Sequence, residues 1–248
     1  MTARRLSLIT LLLTSSVLVG CQGGQTDMEL VAKAEQHQAQ GDTEAAVIEL
    51  KNALKKNADN AAARALLGQI YLGNGDLLSA EKELQRAVAL DNSNAAAELE
   101  LLEVYVSQAK FEQVIEQLDP ASYTSLHDQS TAYGLLGNAY YGQGETALAA
   151  TLFDASLEIE DNAAARLGAI KIAATKLEAA ETLAMIEDAL NTYTQDLDLN
   201  LYAAKFFLYE QPDYNRALEL ASGLIPAYSR PEVLQTLAQA QFALQDNC

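Results

Sequence analysis

The sequence predicts an all-α fold: a solenoid of about six helix–turn–helix repeats followed by one further helix. Three observations predict it. Gly68, Tyr71, Gly75, Ala80, Leu84 and Ala87 recur, with identical internal spacing, as Gly137, Tyr140, Gly144, Ala149, Phe153 and Ser156. The two sets lie 69 residues apart, two periods of about 34 plus one inserted residue. The same spacing appears one period earlier in Ala34, His37, Gly41, Ala46, Leu50 and Ala53, and one period later in Leu102, Tyr105, Ala109, Val114 and Leu118. Finally, apolar residues recur at helical spacing between turn residues, and no segment reads as a strand.

The chain opens on an export signal, residues 1–20. Arg4 and Arg5 form a basic start, and Leu6 to Val19 is an apolar run broken only by small hydroxyl residues. It ends on Leu18-Val19-Gly20-Cys21, which resembles the lipobox of bacterial lipoproteins. The resemblance implies a lipidated Cys21 as the first mature residue, and several acyl chains make a stable anchor. Gln22, where an Asp would signal inner-membrane retention, implies the periplasmic face of the outer membrane. Residues 21–26 form a short tether. Cys248 is then a single thiol, and two cysteines allow neither a disulfide framework nor a zinc site.

The array follows at 27–248. Repeat one is read as 27–60, repeat two as 61–94 and repeat three as 95–127. Pro120 stops the second helix of repeat three early and makes 119–129 a longer connection. Repeat four is 130–163. Repeat five, 164–196, lacks the glycine turn, and repeat six, 197–230, is marked by Tyr214 to Leu218. A last helix, 231–245, opens with Pro231 at its first turn.

This pattern resembles the tetratricopeptide repeat, and each of its features has a physical cause. A small residue in the first helix of a repeat (Ala34, Gly68, Gly137) lets the second helix approach, and Ala46, Ala80 and Ala149 form the other wall. Gly41, Gly75 and Gly144 supply the left-handed residue of a tight turn. Asp42 and Asp76 stand where a side chain caps the second helix. The last helix carries Leu234, Leu237, Phe242 and Leu244 and is more apolar than a solvating cap, so a fragment of a longer array is expected.

Gly41 to Ala89 resembles the start of the repeat lipoproteins found beside exosortase (PEP-CTERM protein-sorting) and exopolysaccharide gene clusters. The matching stretches are Val47 to Leu54 and Ala63 to Leu84. Leu101 to Leu118, with a proline soon after, is similar as well. The resemblance implies an envelope scaffold for protein sorting or polysaccharide export. A pilotin-like or outer-membrane-assembly lipoprotein is the alternative, and a periplasmic peptidoglycan-processing enzyme is a more distant one.

Charge narrows the partners. The formal net charge is −18, and about −20 without Arg4 and Arg5, which repels nucleic acid and anionic lipid. The expected partners are envelope proteins, with the membrane reached only through the lipid, and no small-molecule substrate. No phosphate loop, metal motif or nucleophile constellation is present, so no catalytic residue, metal ligand or cofactor is expected. His37 stands in a tyrosine slot of the repeat, and His127 in the long connection. Acidic residues are spread along helices as solvated faces.

In such arrays the first helix of each repeat lines a concave face. The position after the middle small residue recurs as Glu35, Gln69, Glu103 and Asn138 and, with the frame extended through repeats five and six, as Ile172 and Phe206. On this frame the column holds no Lys or Arg. Three residues further stand Gln38, Leu72, Val106, Tyr141, Thr175 and Tyr209. Tyr202, Phe206 and Tyr209 suggest an aromatic floor toward the C-terminal end. The expected partner-binding residues are Glu35, Gln69, Glu103, Asn138, Tyr141, Tyr202, Phe206 and Tyr209.

Overall fold

The computed structural model describes residues 25–224 and 230–246, and Cys21, the signal segment and Cys248 lie outside them. Helices alternate along the described chain, and no strand occurs among these residues. Repeat one pairs α1 (Asp27–Ala39) with α2 (Thr43–Lys56). Repeat two pairs α3 (Ala61–Gly73) with α4 (Leu77–Leu90), and repeat three pairs α5 (Ala95–Ser107) with α6 (Phe111–Gln117). Repeats four to six are α7 (Leu126–Gly142) with α8 (Thr146–Ile159), α9 (Ala163–Ala173) with α10 (Ala179–Thr192), and α11 (Leu197–Tyr209) with α12 (Tyr214–Leu224). Helix α13 (Pro231–Asp246) follows. Helices α3, α5, α7, α9 and α11 each pack on their own partner and on the next odd-numbered helix. Adjacent buried clusters therefore run along the array, as expected when each repeat buries its face on its neighbours.

Local chemistry starts and stops these helices. Thr26, Asn60, Asn94, Asn162 and Asp196 each cap an odd helix by accepting from the backbone N–H three residues on. Asp42 and Asp76 do the same for α2 and α4. Gly41, Gly75 and Gly144 turn the chain at φ +78°, +76° and +86°. Ala109 takes the same left-handed place in repeat three at φ 57°, at a cost that glycine would not carry.

Pro120 shortens α6 as its ring chemistry requires, and a single 3-10 turn, Pro120–Ser122, follows. The connection is shorter than the sequence suggests. Ser125 caps α7, which begins at Leu126 and carries an additional turn at its start. His127 therefore sits on a helix, exposed and 3.1 Å from Glu160, not in a loop.

The small positions are contact positions. A Cβ on Gly68 would lie 2.6 Å from Leu84 Cγ, and one on Gly137 would lie 2.8 Å from the Phe153 ring. Phe153 replaces the leucine of repeats one and two. Its larger ring is accommodated because Gly168 of α9 also faces it, where a Cβ would lie 2.2 Å away. Repeat four differs in a second way. Ser156 stands where repeats one and two place Ala53 and Ala87, and it forms a hydrogen-bonded cluster with buried Ser130 and the half-buried cap Asn162, each serine hydroxyl donating to the other helix's backbone. Glu83 of α4 is buried as well and is held by Arg64 of α3 at 2.5 Å, so it is no free outer-surface charge.

Candidate functional site: the concave groove

Counting from the helix caps fixes which side chains reach the inner face. Nine residues after the cap stand Glu35, Gln69, Glu103, Lys171 and Lys205; α7 starts a turn early, and the glycine register gives Asn138 there. One residue further, Ile70, Val104, Ala139, Ile172 and Phe206 are all buried. Ile172 and Phe206 therefore belong to the core column, and the sequence frame slips by one residue in repeats five and six. Phe206 is 5 % exposed, edge-on to Phe207 at 6.1 Å between centroids, and offers a partner almost no surface. The same correction puts two cations, Lys171 and Lys205, into a column read from sequence as having none.

The inner faces form a connected ladder. Gln38 Nε2 donates to Gln69 Oε1 at 3.4 Å, and Gln69 Nε2 donates to Glu100 Oε1 at 2.8 Å, joining α1, α3 and α5. Glu35 and Gln69 are exposed, whereas Glu103, Asn138, Tyr141 and Tyr202 are half-buried. Tyr202 lies close enough to Tyr141 to feel it, although burial is the larger cause of its raised pKa. Glu100 was not singled out from sequence; its position three residues before Glu103 is the signal that could have found it.

Several elements meet at the middle of the groove. Burial pushes the Glu103 carboxyl up to about 7; Asp198 and Asp196 of α11 raise it further, and Arg230 opposes them. Burial likewise raises Glu100 to about 7, with Gln69 lowering it and Glu103 raising it. Desolvation lowers Lys171, against the attraction of Asp198 and with the repulsion of Lys205. Neither Lys171 nor Lys205 forms a salt bridge among the described residues. These two carboxyls bind protons in the folded state that the unfolded chain has released above the ordinary value of 4.5. Stability should therefore fall as pH rises from about 5 to about 8. Glu103→Gln should flatten that fall by about 1 kcal/mol after solvent screening, read from urea midpoints at the two ends of the window.

Toward the C-terminal end a cleft of about 630 Å³ opens between α11, α12 and α13, lined by Leu208, Tyr209, Tyr214, Ala238, Gln239 and Phe242. Tyr209 is 60 % exposed and Phe242 65 %. The exposed aromatic surface is thus Tyr209 with Phe242, not Tyr202 with Phe206. His37 is partly buried, and its Nδ1 has no hydrogen bond, the nearest carboxylate oxygen being that of Asp42 at 3.9 Å. Among the described residues no three His, Cys, Asp or Glu side chains are placed to hold a metal, and no helix is long and apolar enough to cross a membrane.

Comparison with known proteins agrees with the helical-repeat fold. Residues 37–89 match the family described as tetratricopeptide repeat. No curated protein matches the chain in sequence. In structure the chain is similar to a thermophilic tetratricopeptide protein of Thermus thermophilus, at 22% identity and TM-score 0.56, covering 74% of this chain and all of that one. It is similar to PilF of Pseudomonas aeruginosa, at 19% identity and TM-score 0.55, over 86% of this chain and 97% of that one. The apo form of RapI gives 12% identity and TM-score 0.60, over 89% and 99%. Repeat spacing, helix pairing and these likenesses together make the chain a tetratricopeptide-type helical solenoid, the kind of fold that serves as a protein-interaction scaffold.

Proposed function

We propose that the chain is a lipid-anchored scaffold on the periplasmic face of the outer membrane, holding a protein segment in its concave groove without catalysing a reaction. One observation carries the binding surface: the hydrogen-bonded ladder Gln38–Gln69–Glu100 along α1, α3 and α5, with Glu103, Asn138, Lys171 and Lys205 at the matching positions of the first helices. The carboxylates of Glu35, Glu100 and Glu103 suit a partner's cationic groups, and Lys171 and Lys205, which form no salt bridge among the described residues, suit an acidic one. The exposed Tyr209 and Phe242 add an apolar contact of the kind that dominates interfaces. The lipobox residues around Cys21 support the anchor. The likeness of Gly41 to Ala89 supports a role in exosortase-linked sorting or exopolysaccharide export, with pilotin-like or outer-membrane assembly as the alternative.

Opposite charges across a groove steer association, so capture of the partner from envelope extract should weaken as salt rises. Glu103→Lys and Lys171→Glu should each weaken capture about tenfold or more. Asp154→Lys, on the exposed face of α8, should leave it unchanged. Equal losses in all three would remove the groove assignment.

A further inference from the structure

Arg230 stands immediately before α13, yet it reaches the end of α3. Its Nε donates to the carbonyl of Gly73 at 3.1 Å, and one terminal nitrogen donates to the carbonyl of Leu72 at 3.2 Å. The other terminal nitrogen lies 3.2 Å from Asp198 in the first turn of α11. The aliphatic stem runs beside Gly75 in the α3–α4 turn. One guanidinium therefore ties three elements together, two of them separated by 157 residues.

The chemistry suits each end. The last carbonyls of a helix lack intrahelical partners and carry the negative end of its dipole, so a cation that donates to them acts as a cap. The planar fork of arginine can serve these carbonyls and a carboxylate at once, which a lysine ammonium does less well. The Arg230 side chain is 17% exposed, shielded more than Asp198 at 59%.

The tie has leverage because of the architecture. The extensively packed element pairs are neighbours or next-neighbours along the chain. The winding of such an array is a sum of small rotations between repeats, with no cross-brace to fix it. A contact from α13 to α3 is such a brace. It lies at the place where Glu103, Asp196 and Asp198 converge on the groove.

We propose that Arg230 is a latch that holds the superhelix in its wound state and closes one side of the groove between repeat two and α13. Unlatching unwinds the array and widens the groove, so occupancy of the groove and winding are coupled. The device acts on the free protein and does not depend on what the groove binds.

The test uses the full chain with its two cysteines changed to serine and spin labels at Lys51→Cys on α2 and Ser222→Cys on α12, both exposed positions outside α13. Arg230→Ala should lengthen and broaden the distance distribution between the labels, and Asp198→Asn should do so to a smaller degree. Arg230→Lys should give an intermediate distribution, because the charge remains and the fork is lost. A circular-dichroism melt of each variant checks that the repeats stay folded. If the α2–α12 distribution is unchanged in Arg230→Ala, the latch is overturned. The same holds if a label at Leu234→Cys alone moves, since Arg230 then only seats α13.

Discussion

Phe153→Ala is expected to destabilise the protein by about 3–5 kcal/mol, the range for deleting a buried aromatic ring. Phe153 is fully buried and is the largest such side chain described. It sits between Gly137 of its own repeat and Gly168 of the next, so both walls lack side chains that could move in. The cavity should therefore stay open and the cost should fall toward the upper end of the range. Phe153→Leu, which restores the side chain of repeats one and two, should recover part of it. Urea denaturation gives the measurement, with repeats four and five losing their cooperative transition first. A loss below about 1 kcal/mol would mean that the ring is not the joint between those repeats.

Gly68→Leu is the second large effect. A Cβ alone would lie 2.6 Å from Leu84 Cγ and 3.3 Å from the Leu84 backbone nitrogen. Because one of those neighbours is main chain, α3 and α4 must separate, at a cost of about 1–3 kcal/mol or more. Five residues along the same helix, Gly73 has nothing within 4 Å of its Cβ position. Gly73→Ala should then stabilise by about 0.4–1 kcal/mol, since the unfolded chain loses freedom and the folded one gains no clash. Opposite signs at two glycines of one helix separate packing from backbone freedom. Equal thermal shifts for the two variants would contradict the repeat register.

Much of this register is legible in the sequence because its causes are local. Gly41, Gly75 and Gly144 are needed by a turn, Ala46, Ala80 and Ala149 by a helix contact, and both demands recur every period. Where a local cause is missing, the reading slips. The turn from α8 to α9 spans 160–162, one residue shorter than the turns at 57–60 and 91–94, and Ile170 stands where the earlier repeats mark the register with a small residue, so the frame through Ile172 and Phe206 runs one residue late. The caps hold the correction: Asn60 and Asn94 are 34 residues apart, as are Asn162 and Asp196, and counting from them recovers Lys171 and Lys205. Ser125 is a further cap, and recognising it moves the start of α7 forward and takes His127 out of the loop.

The groove is only partly legible for a different reason. A polar column can be read from spacing, but the charges that act on Glu103, those of Asp196, Asp198 and Arg230, lie far along the chain. Their approach follows from the accumulated winding of the repeats, and no local pattern encodes it. Likewise, the exposure of Tyr209 and burial of Phe206 differ by less than one helical turn, a distinction that a one-residue slip erases.

The claim that the inner ladder is the partner-binding surface is tested most directly by site-specific photo-crosslinking. A benzophenone side chain would be placed in turn at Gln69, Asn138 and Lys205 on the groove, and at Lys51 and Asp154 on exposed faces of α2 and α8. One and the same envelope protein should be captured from all three groove positions and from neither outer position. Capture of that protein from Lys51 or Asp154, with the groove positions silent, would contradict it.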